Sequence, residues 1–83
     1  MKTTYIVQPF DAHTVKGRRT LKPATPMQFA GEAEALGRAG RMAAKHTGVV
    51  AVSQAYDEES GEMGKTTVLA QHGEVPDELF ENL

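Results

Sequence analysis

Cysteine and tryptophan are both absent from this chain of 83 residues, and aromatic residues make up only 6% of it. Without cysteine the chain can form no disulfide, and no thiolate can bind a metal or act as a nucleophile. Apolar runs are also short, and none approaches the roughly 20 residues that a membrane-spanning helix needs. The first residues lack the long apolar core of a signal peptide. These absences predict a cytoplasmic protein that does not enter a membrane.

The length of the chain fits one small α+β domain over residues 1–83 with a modest hydrophobic core. Residues 74–83 follow the last predicted strand, and we expect them to form a partly ordered carboxyl-terminal tail. Small domains without disulfides often gain buried area by association. A homodimer is therefore expected.

Charge is distributed unevenly, although the net charge is only −2. Residues 1–22 contain five Lys or Arg residues against Asp11 alone, whereas residues 57–83 contain eight acidic residues against Lys65 alone. Such a gradient predicts one basic and one acidic region of the surface. Two copies could attract each other head to tail through these regions.

The segment from Gly31 to Gly48 has a clear helical period. Its apolar residues recur at spacings of three and four, which predicts an amphipathic helix that covers a sheet: Ala35, Leu36, Ala39, Met42 and Ala43. Gly48 is expected to end this helix in the left-handed conformation. Gly37, Gly40 and Ala44 form a line of small residues. This line is either a contact for a partner helix or part of a weak helix held by tertiary packing.

Four segments rich in β-branched residues predict strands, at positions 3–10, 17–22, 49–56 and 65–72. Residues 11–17 are predicted to form a turn with Gly17 at positive φ. Pro23 and Pro26 indicate an irregular exit from the second strand, which is therefore expected at an edge, with Met27 and Phe29 under the start of the helix.

The element order predicts a β-β-α-β-β arrangement. Short, right-handed connections favour a four-stranded antiparallel sheet in the order 2-1-3-4, with the helix packed on one face. The other face has no helix assigned to it and needs a partner, of which a second copy is the simplest.

No pattern in the sequence favours an enzyme. Three histidines (His13, His46 and His72) lack the close spacing of zinc ligands. The acidic segment 57–62 lacks the twelve-residue frame of a calcium loop. The GKT at 64–66 matches the end of a phosphate-binding loop, but the first glycine of that motif is missing. We expect no catalytic residue, cofactor or metal.

Four positive charges fall within seven residues: Lys16, Arg18, Arg19 and Lys22. Such a run is a candidate for sequence-independent contacts with nucleic-acid phosphates. The chain as a whole is acidic, with a pI of about 5.9, whereas nucleic-acid-binding modules are usually basic. The same charges could instead protect an edge hairpin from pairing with other chains.

These observations favour a small non-enzymatic protein-interaction module that works as a homodimer, with an unknown protein partner. The alternative is a nucleic-acid-binding accessory protein that uses the basic hairpin at residues 16–22.

Two segments, EALGRAGRMAAKHTGVVAVS at 34–53 and VLAQHGEVPDEL at 68–79, resemble a group of short uncharacterised bacterial proteins, mainly from alphaproteobacteria. In that group a small helix leads into a GVVA-type strand, and a GxVP turn follows the last strand. The resemblance covers about half of the chain. It implies a small α+β fold and brings no activity, cofactor or catalytic residue.

Overall fold

The computed structural model describes residues 1–76, and residues 77–83 lie outside the described part. Five strands and one helix follow in the order β1 (Lys2–Val15), β2 (Arg18–Pro23), β3 (Met27–Phe29), α1 (Glu32–Met42), β4 (Gly48–Tyr56) and β5 (Met63–Gly73). The strands form a single antiparallel sheet in the order β2-β1-β4-β5, and β3 also pairs with β1. The α+β class with one helix is confirmed. The predicted four-stranded sheet is corrected to five strands.

Strand β1 continues beyond Phe10 to Val15, so the predicted turn over residues 11–17 is wrong. A two-residue turn, Lys16–Gly17, joins β1 to β2, and Val15 pairs directly with Arg18. Both turn residues have positive φ, 51° and 79°, and the positive φ predicted for Gly17 is confirmed. Tight turns of this kind match the right-handed twist of the two strands. They allow the two strands of the hairpin to stay paired up to the turn, beyond the strand end that the composition predicts.

The additional strand, β3, replaces part of the irregular exit predicted after β2. It pairs with residues 5–7 of β1, whereas β2 pairs with residues 10–15 on the same side of that strand. Pro9 lies at the gap between them, and its carbonyl accepts a hydrogen bond of 2.9 Å from the Ala24 backbone nitrogen. The proline therefore removes no donor that the sheet needs.

Helix α1 packs on one face of the sheet. Its predicted apolar stripe is confirmed, since all five of its residues lie in or against the main core cluster. That cluster is built from small side chains, with larger ones at its margin: Val7, Ala35, Ala39, Val49 and Ala51, surrounded by Tyr5, Phe29, Leu36, Met42, Ala43, Leu69 and Ala70. Small residues let the helix lie close to the sheet, which compensates for its short length.

The helix is shorter than the period predicts. It starts after Gly31 without a side-chain cap and ends at Met42, with Ala43 as a right-handed C-cap. Gly48 does not end the helix, because it lies in β4 and has no positive φ. Its requirement for glycine has a different cause, described below.

The described residues extend over 47 × 24 × 17 Å. The Lys16–Gly17 turn lies at one end of β1, and residues 57–62, which join β4 to β5, lie at the other, where Lys2 pairs with Tyr56. In residues 1–76, no helix has both the length and the apolar character required to cross a bilayer.

Candidate functional site

The sheet face opposite α1, here called the open face, carries a row of three apolar residues across its three longest strands. Ile6 pairs with Val52, and Val52 pairs with Val68. All three are only half-buried, whereas Val7 and Ala51 on the helix side are fully buried. This row lies close to the middle of the long sheet.

Two glutamine side chains on the open face form hydrogen bonds with backbone carbonyls. Gln8 Nε2 donates to the carbonyls of Ala24 (2.7 Å) and Pro9 (2.8 Å). Gln54 Nε2 donates to the carbonyl of Gly64 at 3.0 Å, and its Oε1 accepts from Thr66 Oγ1. Both glutamines thus satisfy carbonyls next to interruptions in strand pairing, so they add order to the face without offering free donors.

Residues 74–76 cross one end of the open face. Val75 is 9% exposed and packs with Phe10 and Val50, which lie on the side of the sheet opposite α1 and are buried. The crossing requires two glycines that pair with each other, Gly48 and Gly73. A β-carbon on Gly48 would lie 3.0 Å from the Glu74 nitrogen and closer still to its carbonyl group.

The crossing is also held by polar contacts. The Glu74 nitrogen donates to the Thr47 carbonyl at 3.1 Å, and its carboxylate accepts two hydrogen bonds from Arg19, one of them 2.9 Å long. These bonds, helped by the charge of Arg19, hold the pKa of the Glu74 carboxyl below its ordinary value of 4.5. The same partnership raises the pKa of Arg19.

The two ends of the sheet carry opposite charges. The loop that joins β4 to β5 contains Asp57, Glu58, Glu59 and Glu62, and within the described residues only Glu58 has an ion pair, at 3.0 Å from Lys2 Nζ. The opposite end contains the hairpin turn with its run of basic residues. Within the described residues, the basic hairpin and the acidic 57–62 loop thus lie at opposite ends of the long axis, whereas Glu74 lies with Arg19 near the basic end.

The predicted phosphate contacts do not share one face. Lys16 lies in the hairpin turn, and Arg19 lies on the open face, bonded to Glu74. Lys22 and Arg18 pair with Asp11 and Val15, whose side chains project to the helix side. The structure therefore divides the hairpin's positive charge between the two sides of the sheet.

A groove on the outer side of α1 gathers further positive charge. It has a volume of about 430 Å³, is here called the basic groove, and is lined by Arg38, Arg41, Met42, Lys45 and His46. At its edge, His46 Nδ1 lies 2.9 Å from Asp11 Oδ1. The sequence does not indicate this contact, which joins residues 35 positions apart.

The small-residue line Gly37, Gly40 and Ala44 is exposed along α1. A β-carbon on Gly40 would meet nothing within 4 Å, and one on Gly37 would meet only the Arg41 guanidinium at 3.5 Å. No neighbouring backbone in the described chain therefore requires glycine there. Residues 1–76 contain no group of three His, Asp or Glu side chains that could hold a metal ion.

Sequence reasoning missed two parts of this arrangement. It did not find the Asp11–His46 contact or the crossing at Gly48, Gly73 and Glu74. The only signal for the crossing was a glycine at the start of one strand and another at the end of the next. Comparisons with known protein families, with curated proteins and with solved structures find no match.

Proposed function

We propose that the protein is a non-enzymatic interaction module that works as a homodimer and pairs through its open face. The observation that carries this proposal is the half-buried row Ile6, Val52 and Val68, which lies at the middle of the sheet face that no helix of residues 1–76 covers. The described residues extend over 47 and 24 Å along the two longer axes. Residues 74–76 cover one end of the open face, and the remainder is the surface that a second copy would cover.

Charge favours one orientation of the two copies. Two sheets related by a two-fold axis can meet face to face with like ends together or with unlike ends together. The second arrangement sets the hairpin of one copy, with Lys16 at its tip, beside the acidic 57–62 loop of its partner, and it does so twice by symmetry. Like charges oppose the first arrangement.

The experiment is to measure molar mass by light scattering and by native mass spectrometry over a range of protein concentration. The test variant is Val68→Lys, which places a charge in the apolar row. The matched control is Thr67→Lys, because the neighbouring residue on the same strand projects to the opposite side. We expect a dimer for the wild type and for the control, and a monomer for Val68→Lys.

A second comparison distinguishes a dimer that pairs through the open face from one that pairs through the small-residue line of α1. Gly40→Leu adds a large side chain at a position with open space around it, so it disturbs the dimer only if Gly37, Gly40 and Ala44 form the interface. Loss of the dimer in Gly40→Leu, with an intact dimer in Val68→Lys, would move the interface to α1. A wild-type monomer at every concentration would refute the homodimer.

The second candidate function, a nucleic-acid-binding accessory protein, is favoured by one observation. Lys22 pairs with Asp11, which contacts His46, and so one helix-side charge of the hairpin lies next to the basic groove. The test is binding of a labelled single-stranded oligonucleotide at low and at high salt. Arg18→Glu combined with Lys22→Glu should abolish a salt-sensitive affinity, and the absence of any affinity at low salt would end this candidate.

A further inference from the structure

Three cations of the basic groove project into the same space. Arg38, Arg41 and Lys45 recur at spacings of three and four, so they lie on one side of α1 and of the turn that follows it. Within residues 1–76 none of them forms an ion pair. Unpaired cations at such short spacing repel one another, and an anion placed among them would remove that repulsion.

The helix dipole does not account for this cluster. The carboxyl end of a helix carries about half a negative charge, and its effect is confined to the last turn. Only Arg41 lies in that turn, because Arg38 precedes it and Lys45 follows the end of the helix at Met42. The groove holds three positive charges. The negative charge of the helix end and of Asp11 adds up to only about one and a half, so positive charge remains in excess.

The edge of the groove is ordered by Asp11. A carboxylate can only accept hydrogen bonds, so the proton of this contact lies on His46 Nδ1 and leaves Nε2 as the second polar atom of the ring. Lys22 is the cross-strand partner of Asp11, which brings a cation of β2 to the same edge. The groove is thus bordered by two elements that are far apart in sequence.

The geometry points to the basic groove as a binding site for a small molecule that carries a phosphate or diphosphate group. Arginine matches phosphate oxygens through paired N–H donors, and the groove offers two arginines and a lysine around about 430 Å³, a volume typical of small-ligand sites. Met42 supplies an apolar wall for the rest of the ligand.

A small ligand fits better than a long polyanion. Residues 38 to 45 cover only about 10 Å along a helix. Glu34 lies one turn before Arg38 on the same side and closes the positive stretch at that end. A nucleic-acid backbone that continued along α1 would therefore meet a carboxylate.

The test is titration of the intact protein with sodium pyrophosphate, followed by amide chemical shifts in two-dimensional NMR. We expect saturable shifts confined to residues around the groove. Arg38→Gln combined with Arg41→Gln should weaken binding by about tenfold or more, since it removes charge-assisted hydrogen bonds. The matched control, Lys16→Gln combined with Arg18→Gln, removes the same charge at the tip of the hairpin and should leave the affinity unchanged.

Equal weakening in both double variants would show unspecific attraction and overturn the proposal. The absence of saturable shifts with pyrophosphate would also overturn it. A parallel titration with a 20-nucleotide single strand tests the other source of phosphate: binding of the strand alone, lost in the hairpin variant, would favour the nucleic-acid candidate instead. All substituted residues are exposed, and circular dichroism verifies that each variant is folded. Molar mass, measured on the same samples, tests the dimer separately.

Discussion

Gly48 and Glu74 are in backbone contact at the point where the chain leaves β5 and turns over the open face. A β-carbon at position 48 would overlap the carbonyl group of Glu74, and neither backbone can move without breaking the pairing of Gly48 with Gly73. We expect Gly48→Ala to destabilise the protein by about 3 kcal/mol, because overpacking against a backbone cannot relax by a change of rotamer. Urea unfolding followed by circular dichroism measures this loss.

A domain of this size has a net stability of about 3–5 kcal/mol, so Gly48→Ala should leave much of it unfolded at room temperature. Gly61→Ala is the control, since Gly61 has positive φ but open space around it and carries only the backbone strain. Equal stability losses in the two variants would show that the contact with Glu74 does not matter.

The exposed glycines of α1 predict the opposite effect. Gly40→Ala should raise the free energy of unfolding by about 1 kcal/mol, because alanine has the higher helix propensity and its methyl group would meet nothing. Gly37→Ala should add a similar amount, since the nearest atom, on the Arg41 side chain, is at an ordinary contact distance. Thermal unfolding at low protein concentration measures both. A loss of stability in either variant would indicate a contact that the described chain does not contain.

The Arg19–Glu74 ion pair predicts a pH dependence of stability. Because the pKa of Glu74 is lowered by folding, its contribution is present above the pKa of the unfolded chain and is lost as pH falls through the lower, folded value. Wild type should therefore be more stable than Glu74→Gln at neutral pH, and the difference should disappear in acid, well below pH 4.5. Urea midpoints measured at a series of pH values provide the comparison.

Glu62→Gln is a suitable control for that series, because it removes a loop carboxylate that has no ion pair within residues 1–76. If the gap between wild type and Glu74→Gln were the same at neutral and at acid pH, the ion pair would contribute nothing to stability.

Reversal of charge tests the orientation of the proposed dimer. Lys16→Glu should weaken it, and so should Glu59→Lys, because each places like charges at both symmetric contacts between unlike ends. The two changes together in one chain should restore affinity, since attraction is re-established with the signs exchanged. Sedimentation equilibrium at low salt measures the dissociation constants.

High salt should reduce the differences among these variants by screening. Additive losses in the double variant would exclude contact between unlike ends, even if the open face is the interface.

Local patterns were sufficient for much of the fold. The spacing of Ala35, Ala39 and Met42 predicted the buried side of α1, and the alternation in residues 49–56 predicted β4, since both follow from the period of one element. The end of β1 and the strand β3 were not predictable in this way. β3 has three residues between prolines and glycine, and only its pairing with β1 makes it a strand.

The candidate surfaces were likewise predictable in part from the sequence. The sequence predicted a face without a helix and a surface of uneven charge, because patterning and composition are local properties. Alternation along one strand already places Lys22 and Arg19 on opposite sides of the sheet. Which of the two faces the helix could not be predicted, because that depends on where the hairpin turns.

The sequence by itself determined the α+β class, the apolar stripe of the helix and the separation of basic from acidic segments. Only the tertiary structure decided that the basic hairpin and the acidic 57–62 loop lie at opposite ends of a sheet 47 Å long, that Asp11 meets His46, and that Gly48 must be glycine because Glu74 crosses it. The reason is physical: periodicity and composition act over a few neighbouring residues, whereas these contacts join residues 26 to 35 positions apart and depend on strand register and turn geometry.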